Sequence, residues 1–386
     1  MLSLHLHFEV YVAIILIIIN NVQKNSSEIS VDIFCRVIDN YGDAGVMWRL
    51  ARALRADNYR VRLIIDEPNT LRSLAGSPEN CPVEKIGESE NIGVYLWKKS
   101  WDEGTCPLEP AQAVIEGFAC RLPPDYEKKM TRRAPKWFNI DYFSAEDWIE
   151  GCHLMPSIDP ATGLVKTNYF PGVTSKSGSL IFENDYEEKK TQWLNLHCEK
   201  HEALKILFFA YPYGPIEALA HAFSEIHRPI ELMLTPCEAS RLLAQALTPH
   251  SKEITLKSLP FVVQKDFDTL LWNCDIAFIR GEDSAARAML AGVPFLWHIY
   301  HQDDNVHMVK LKALEERFRF YFDDSSVFER WCSVQESMNQ GAFPVTDFLR
   351  LLNDYDQWKS ACEKFSRHLR SLGSLAEKLS ELIKNG

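Results

Sequence analysis

Asp39 and Asp43 flank Gly42 in the run Phe34-Cys-Arg-Val-Ile-Asp-Asn-Tyr-Gly-Asp-Ala-Gly45. Two carboxylates on a glycine loop at a strand end are the right residue types for acid–base work. The same acids would also sit well at a helix N-terminus with no chemistry at all. A second grouping is Phe278-Ile-Arg-Gly-Glu-Asp-Ser284, with an apolar run before it and the helix-like Ala285-Ala-Arg-Ala-Met-Leu290 after it. Ser284 is the expected N-cap, its hydroxyl accepting from an amide of the first turn. Such a strand–loop–helix unit aims backbone amides and a positive dipole end above the strand, which suits a phosphate. Glu282 and Asp283 would repel a bare phosphate, so they are expected on ribose hydroxyls or at a reacting centre. The combination points to a nucleotide that carries a sugar.

Metal chemistry has weaker support. His298, His301 and His307 fit no tight ligand spacing. His197 and His201 are four apart, but Cys198 stands where H-E-x-x-H needs glutamate. No metal and no cofactor is expected.

Both loops need strands and helices to hold them, and the chain supplies two series. In the first, Val31–Val37, Tyr59–Ile65, Gln112–Glu116 and Pro135–Ile140 read as strands, and Gly45–Leu54 has helical apolar spacing. In the second, strands are expected at Leu204–Ala210, Ile230–Leu234, Ile254–Pro260 and Asp275–Ile279. Helices are expected at Pro215–Phe223, Ala239–Ala246 and Asp266–Asn273, and over 345–371 and 374–384. Periodicity fades near the charged Glu183–Lys190 segment, which reads as a linker. The expected division is an extension at 1–30, a domain at 31–180, a linker at 181–202, a domain at 203–370 and a last helix at 371–386 that packs back on the first domain. Alternating strands and helices imply parallel sheets with right-handed crossovers. Two such Rossmann-like α/β domains facing each other across a cleft are the plan of GT-B glycosyltransferases, although epimerases share it.

Composition sets outer bounds. At 386 residues, two or three domains are expected. A net charge of −11 argues against sequence-independent nucleic-acid binding, which needs a basic surface. Ten cysteines without a C-x-x-C pair form neither a zinc pattern nor a disulfide framework, which favours a reducing, cytoplasmic setting. The apolar run Tyr11–Ile19 is shorter than the ~18 residues of a membrane span and lacks the flanks of a signal peptide. It reads as a dispensable extension with no stable membrane association, so a chain beginning near Ser30 is expected to stay soluble and active.

The first motif, extended through Trp48-Arg-Leu-Ala-Arg52, resembles the opening of the EarP family, protein-arginine rhamnosyltransferases that modify translation elongation factor P. The resemblance continues through Glu116–Cys120, Trp137–Glu146, His153–Ser157, Gly172–Leu180, Leu259–Gln264, Ile279–Ser284 and Trp297-His-Ile-Tyr300. It covers residues 31 to 386, nearly the whole chain. It implies an inverting, metal-independent GT-B enzyme that moves L-rhamnose from dTDP-β-L-rhamnose to an arginine of elongation factor P. By the match, Asp43 is the general base, Asp39 orients the guanidinium and Glu282 faces the sugar or reacting centre. Asn40, Tyr41, Gly42 and Gly45 shape the acceptor loop. Phe209, Tyr211, Phe261 and Gln264 serve the thymine or sugar, while Arg280, Gly281, Asp283, Ser284 and Tyr300 surround the diphosphate and ribose. Val263, Lys265 and the Ala285-Ala286 pair depart from the family pattern and touch donor affinity more than reaction type. The alternatives are a nucleotide-sugar epimerase of the same fold and a non-catalytic partner of the factor.

Overall fold

The computed structural model describes residues 28–38, 41–197, 202–247 and 253–385. Two sheets organise it. The first contains β1 (Ser30–Cys35), β2 (Arg60–Ile65), β3 (Gly93–Leu96), β4 (Ala113–Gly117), β5 (Lys136–Ile140), β6 (Pro156–Ile158) and β7 (Val165–Tyr169), in the order β3-β2-β1-β4-β5-β7-β6. Only β6 runs antiparallel, against β7. The second contains β8 (Leu204–Phe208), β9 (Ile230–Leu234), β10 (Ile254–Ser258), β11 (Ile276–Arg280) and β12 (Phe295–His298), in the order β10-β9-β8-β11-β12 and parallel throughout.

Strands buried on both faces read as continuous apolar runs, which is why β1, β4, β8 and β11 were legible in sequence. Ile33, Ile115, Ile206 and Phe278 are fully buried. β3, β6 and β7 lie at or next to a sheet edge and carry exposed residues, so they lack that signature. The stretch expected as a linker holds a helix, Tyr186–His197, whose side chains are mostly exposed and therefore show no apolar period. The helices Val306–Phe318 and Ser325–Asn339 also went unread, and the expected 345–371 helix is broken at Asp354 into Val345–Asn353 and Tyr355–Ser371.

In each sheet the connections reverse direction about one strand pair, β1/β4 and β8/β11. Ligands of open α/β sheets bind outside the carboxyl ends of such pairs. The loop leading to Asp43 follows β1, Phe209 and Tyr211 follow β8, and Gly281 to Ser284 follow β11.

The chain crosses between the two cores twice. Going out, Ile181 packs into the first core while Leu180 and Phe182 pack into the second. Coming back, Ser374 Oγ donates to Phe182 O at 2.8 Å and Leu375 N donates to Leu180 O at 2.8 Å, so the crossings lie side by side. The helix Leu375–Asn385 then buries Leu375, Leu379 and Ile383 in the first core. Full burial of such side chains contributes about 1.5–3 kcal/mol each. Tyr59 and Lys136 tie it down: Tyr59 Oη lies 2.8 Å from Ser380 Oγ, and Lys136 Nζ donates to Ile383 O at 2.7 Å. Among the described residues, no helix is long and apolar enough to cross a membrane.

Candidate active site

The helix Tyr41–Ala56 starts at the carboxyl end of β1 and buries Asp43 in its first turn. Asp43 Oδ2 accepts from Ile38 N at 2.7 Å, and Oδ1 accepts from the Tyr142 hydroxyl at 2.9 Å. Tyr142 follows β5 and stacks on Phe118 with ring centroids 4.1 Å apart, so its hydroxyl is held at the carboxylate. Tyr142 was not picked out from sequence, though its place at the carboxyl end of a parallel strand was the available signal. Asp39 and Asn40 lie outside the described residues.

On the facing domain, Gly281 turns the chain with φ 69° and ψ 173°, a conformation essentially restricted to glycine. This starts the helix Glu282–Ala291 three residues earlier than a Ser284 cap would, so Gly281 is the N-cap and Ser284 sits inside the first turn. The expected Ser284 cap is corrected accordingly. Glu282 and Asp283 then lie where the helix dipole favours acids. Asp283 also joins the two domains. Arg49 grips it from the first domain, Nε to Oδ1 at 3.0 Å and one terminal nitrogen to Oδ2 at 3.1 Å. Glu282 pairs with Lys310 at 3.8 Å, and Lys310 Nζ lies 6.0 Å from the Tyr142 ring centroid.

Between these loops lies a cavity of about 340 Å³, within the usual range for small-molecule sites. Eleven of the anticipated residues line it: Tyr41, Gly42, Phe209, Tyr211, Phe261, Gln264, Arg280, Gly281, Glu282, Asp283 and Ser284. Asp43, Gly45 and Tyr300 are not in its wall. Tyr300 is half exposed beside Tyr211, with ring centroids 5.7 Å apart. Sequence reading missed the apolar wall of Leu74, Pro260, Val262, Phe267 and Leu270, which carries no chemical signature. Thr235 and Cys237 also line it.

The Arg280 guanidinium lies 4.5 Å from the Phe209 ring centroid and 5.0 Å from that of Tyr211, so the aromatics orient a cation at the loop. Across the cleft the Tyr41 and Phe261 rings approach to 5.8 Å. Gln264 is buried, its Nε2 donating to Gly45 O at 2.7 Å, while its Oε1 has no hydrogen-bond partner. A Cβ on Gly45 would lie 3.1 Å from that Nε2, so any larger residue there would push on the Gln264 amide.

Electrostatics lock the junction behind the cavity. Arg287, fully buried, binds Asp268 with two nitrogens, donates to Ile181 O at 3.1 Å and reaches Glu183 at 3.2 Å. Burial alone would raise the Glu183 carboxyl, but Arg287 and then Arg49 pull it down to about 2. His298, at the end of β12, accepts from Tyr211 N through Nδ1 at 3.2 Å, which requires the neutral ring. Burial, with His301 and Arg280 nearby, pushes it down to about 3. A depressed histidine costs nothing above its ordinary value near 6.5 and erodes stability progressively as pH falls from there toward 3. Wild type is therefore expected to lose on the order of 1 kcal/mol per pH unit more than His298→Asn between pH 6 and 4. Urea midpoints for the two proteins check this, and parallel acid profiles would contradict it. Among the described residues, no group of three or more His, Cys, Asp or Glu could hold a metal ion.

Comparison with known proteins agrees with this layout. The profile of the elongation factor P (EF-P) rhamnosyltransferase family EarP matches residues 31–384. A protein-arginine rhamnosyltransferase of Pseudomonas putida is 38% identical over 319 residues, covering 76% of this chain and 83% of its own. One from Neisseria meningitidis is 35% identical over 375 residues, covering 91% and 96%. A solved structure described as the basis for EarP-mediated arginine glycosylation of elongation factor EF-P superposes with a TM-score of 0.57 at 23% identity, over 92% of this chain and 99% of that one. The shared architecture is GT-B.

Proposed function

This chain belongs to the EarP family of EF-P rhamnosyltransferases, and from that premise we propose that it transfers L-rhamnose from dTDP-β-L-rhamnose, with inversion, to an arginine of translation elongation factor P. It is a glycosyltransferase, a protein-arginine rhamnosyltransferase. The observation that carries the finer reading is that Tyr41 and Gly42, which open the helix whose first turn buries the Asp43 carboxylate, line one cleft together with the arginine-bearing glycine loop of the second domain.

In this reading a guanidinium nitrogen attacks the anomeric carbon as the bond to the diphosphate oxygen breaks. The electron pair leaves with dTDP, and one guanidinium proton passes to Asp43. Arginine is always protonated at neutral pH, so a carboxylate must take that proton as the C–N bond forms. Tyr142, donating to Asp43, keeps the carboxylate oriented. Asp39, on the same loop, is proposed to hold the guanidinium. Charge developing on the leaving diphosphate would meet Arg280 and the first-turn amides of the Glu282–Ala291 helix. No metal is needed for that neutralisation. The unpartnered Oε1 of Gln264 supports a contact with a base N–H, and Phe261 supports stacking on the base. Asp283 is assigned to joining the domains, because Arg49 occupies both its oxygens.

Incubating elongation factor P with the enzyme and dTDP-rhamnose should add one deoxyhexose to the factor, seen by intact mass. Consumption of donor without a mass gain would instead favour an epimerase, and no turnover at all a non-catalytic partner. Arg280→Ala and Ser284→Ala should each weaken dTDP binding, the arginine change by on the order of 10-fold or more, since it removes a charge-assisted contact. Calorimetry measures this directly, and an unchanged dissociation constant in both would move the diphosphate elsewhere.

A further inference from the structure

Trp297 is 1% exposed and stands on β12, beside the strand that ends at Arg280. Its indole Nε1 donates to the carbonyl of Gly281 at 2.9 Å. That carbonyl belongs to the residue whose left-handed φ starts the helix at the cleft. The backbone of Trp297 is itself held from the side. Gln335 Oε1 accepts from its N–H at 3.1 Å and Asn339 Nδ2 donates to its carbonyl at 2.8 Å. These two side chains are one helical turn apart and fully buried, so they cover an edge strand that would otherwise leave its backbone groups unpaired. The indole also meets Phe143 of the first domain, ring centroids 6.2 Å apart. Phe143 directly follows Tyr142, the hydroxyl partner of Asp43.

We propose that Trp297 is a positioning residue for the transfer, fixing the Gly281 peptide through its N–H and, through Phe143, the distance from the glycine loop to Asp43. The inference rests on the function proposed above. Filling the core needs only an aromatic ring, and the N–H is what reaches the loop. Trp331 provides the comparison. It is equally buried, and its Nε1 donates to Phe295 O on the same strand at 3.1 Å, yet that bond lies two residues from Trp297 and does not reach the loop.

The test compares Trp297→Phe with Trp331→Phe in the full-length chain. Each change leaves one carbonyl without its indole donor, so similar losses in urea midpoint are expected. Hydrogen exchange at the amides of residues 285–288, the first of which donates to Gly281 O, measured without nucleotide, should be about tenfold faster in Trp297→Phe than in Trp331→Phe. The donor KM should rise on the order of tenfold in the first variant alone, with a smaller change in kcat. Equal exchange in the two variants overturns the proposal, and so does faster exchange with an unchanged donor KM. If wild type moves no rhamnose, the functional reading fails, while the exchange comparison still decides whether the indole holds the loop.

Discussion

Asp43→Asn is expected to slow transfer on the order of 10²–10⁴-fold, the usual size of a general-base contribution. The substitution keeps the shape and most of the local bonding. Its amide oxygen can still accept from Ile38 N, and its NH₂ can turn toward the Tyr142 oxygen, which accepts as well as donates. What is lost is the ability to take a proton from the guanidinium. Single-turnover rates at saturating donor isolate that step, and the nucleotide affinity should stay as in wild type. A variant that keeps more than half the wild-type rate would remove Asp43 from the role of base.

Asp268→Ala should produce the largest loss of stability, about 3–5 kcal/mol, the cost of leaving a buried charge without its partner. Arg287 is wholly enclosed, and Asp268 supplies two of its hydrogen bonds. Glu183 would remain near it but is shared with Arg49 and Arg52. The loss is large against a total stability of about 5–15 kcal/mol. Urea unfolding of the two proteins at pH 7 measures it. Asp268→Ala losing less than about 1 kcal/mol would mean that Arg287 finds water or another acid. The double change Asp268→Leu with Arg287→Met should recover much of the loss, since well-packed apolar replacements of buried pairs are often neutral.

The two loops were legible because chemistry restricts residue types. A glycine with acids on either side, or an arginine and glycine between an apolar run and a helix, is seldom required by packing alone. The buried parallel strands were legible through their unbroken apolar runs. Where the glycine loop ends was not, since the helix start depends on Gly281 adopting a positive φ and not on the more usual cap offered by Ser284. The interdomain bond of Asp283 was illegible for a different reason. Its partner Arg49 lies 234 residues away, and no local pattern announces a contact between domains. Gln264 was read as a base contact, and half of its amide is instead spent on Gly45. Tyr142 and Lys310 reach Asp43 and Glu282 through tertiary placement, on a loop and a helix that carry no distinctive spacing of their own.

The helix Leu375–Asn385 completes the core of the first domain although it is made after the second. Domains made early can generally fold as they leave the ribosome, at synthesis rates of about 5–20 residues per second. Here the strands from Ser30 to Tyr169 emerge with a gap where Leu375, Leu379 and Ile383 belong. Synthesis of the intervening segment, about 200 residues, keeps that gap open for roughly 10–40 s at those rates. The first domain thus waits in the nascent chain with an apolar groove uncovered, exposed to chaperones and to neighbouring chains on the same message. Loss of the helix Leu375–Asn385 would leave it uncovered permanently, in a protein whose cleft residues are all intact.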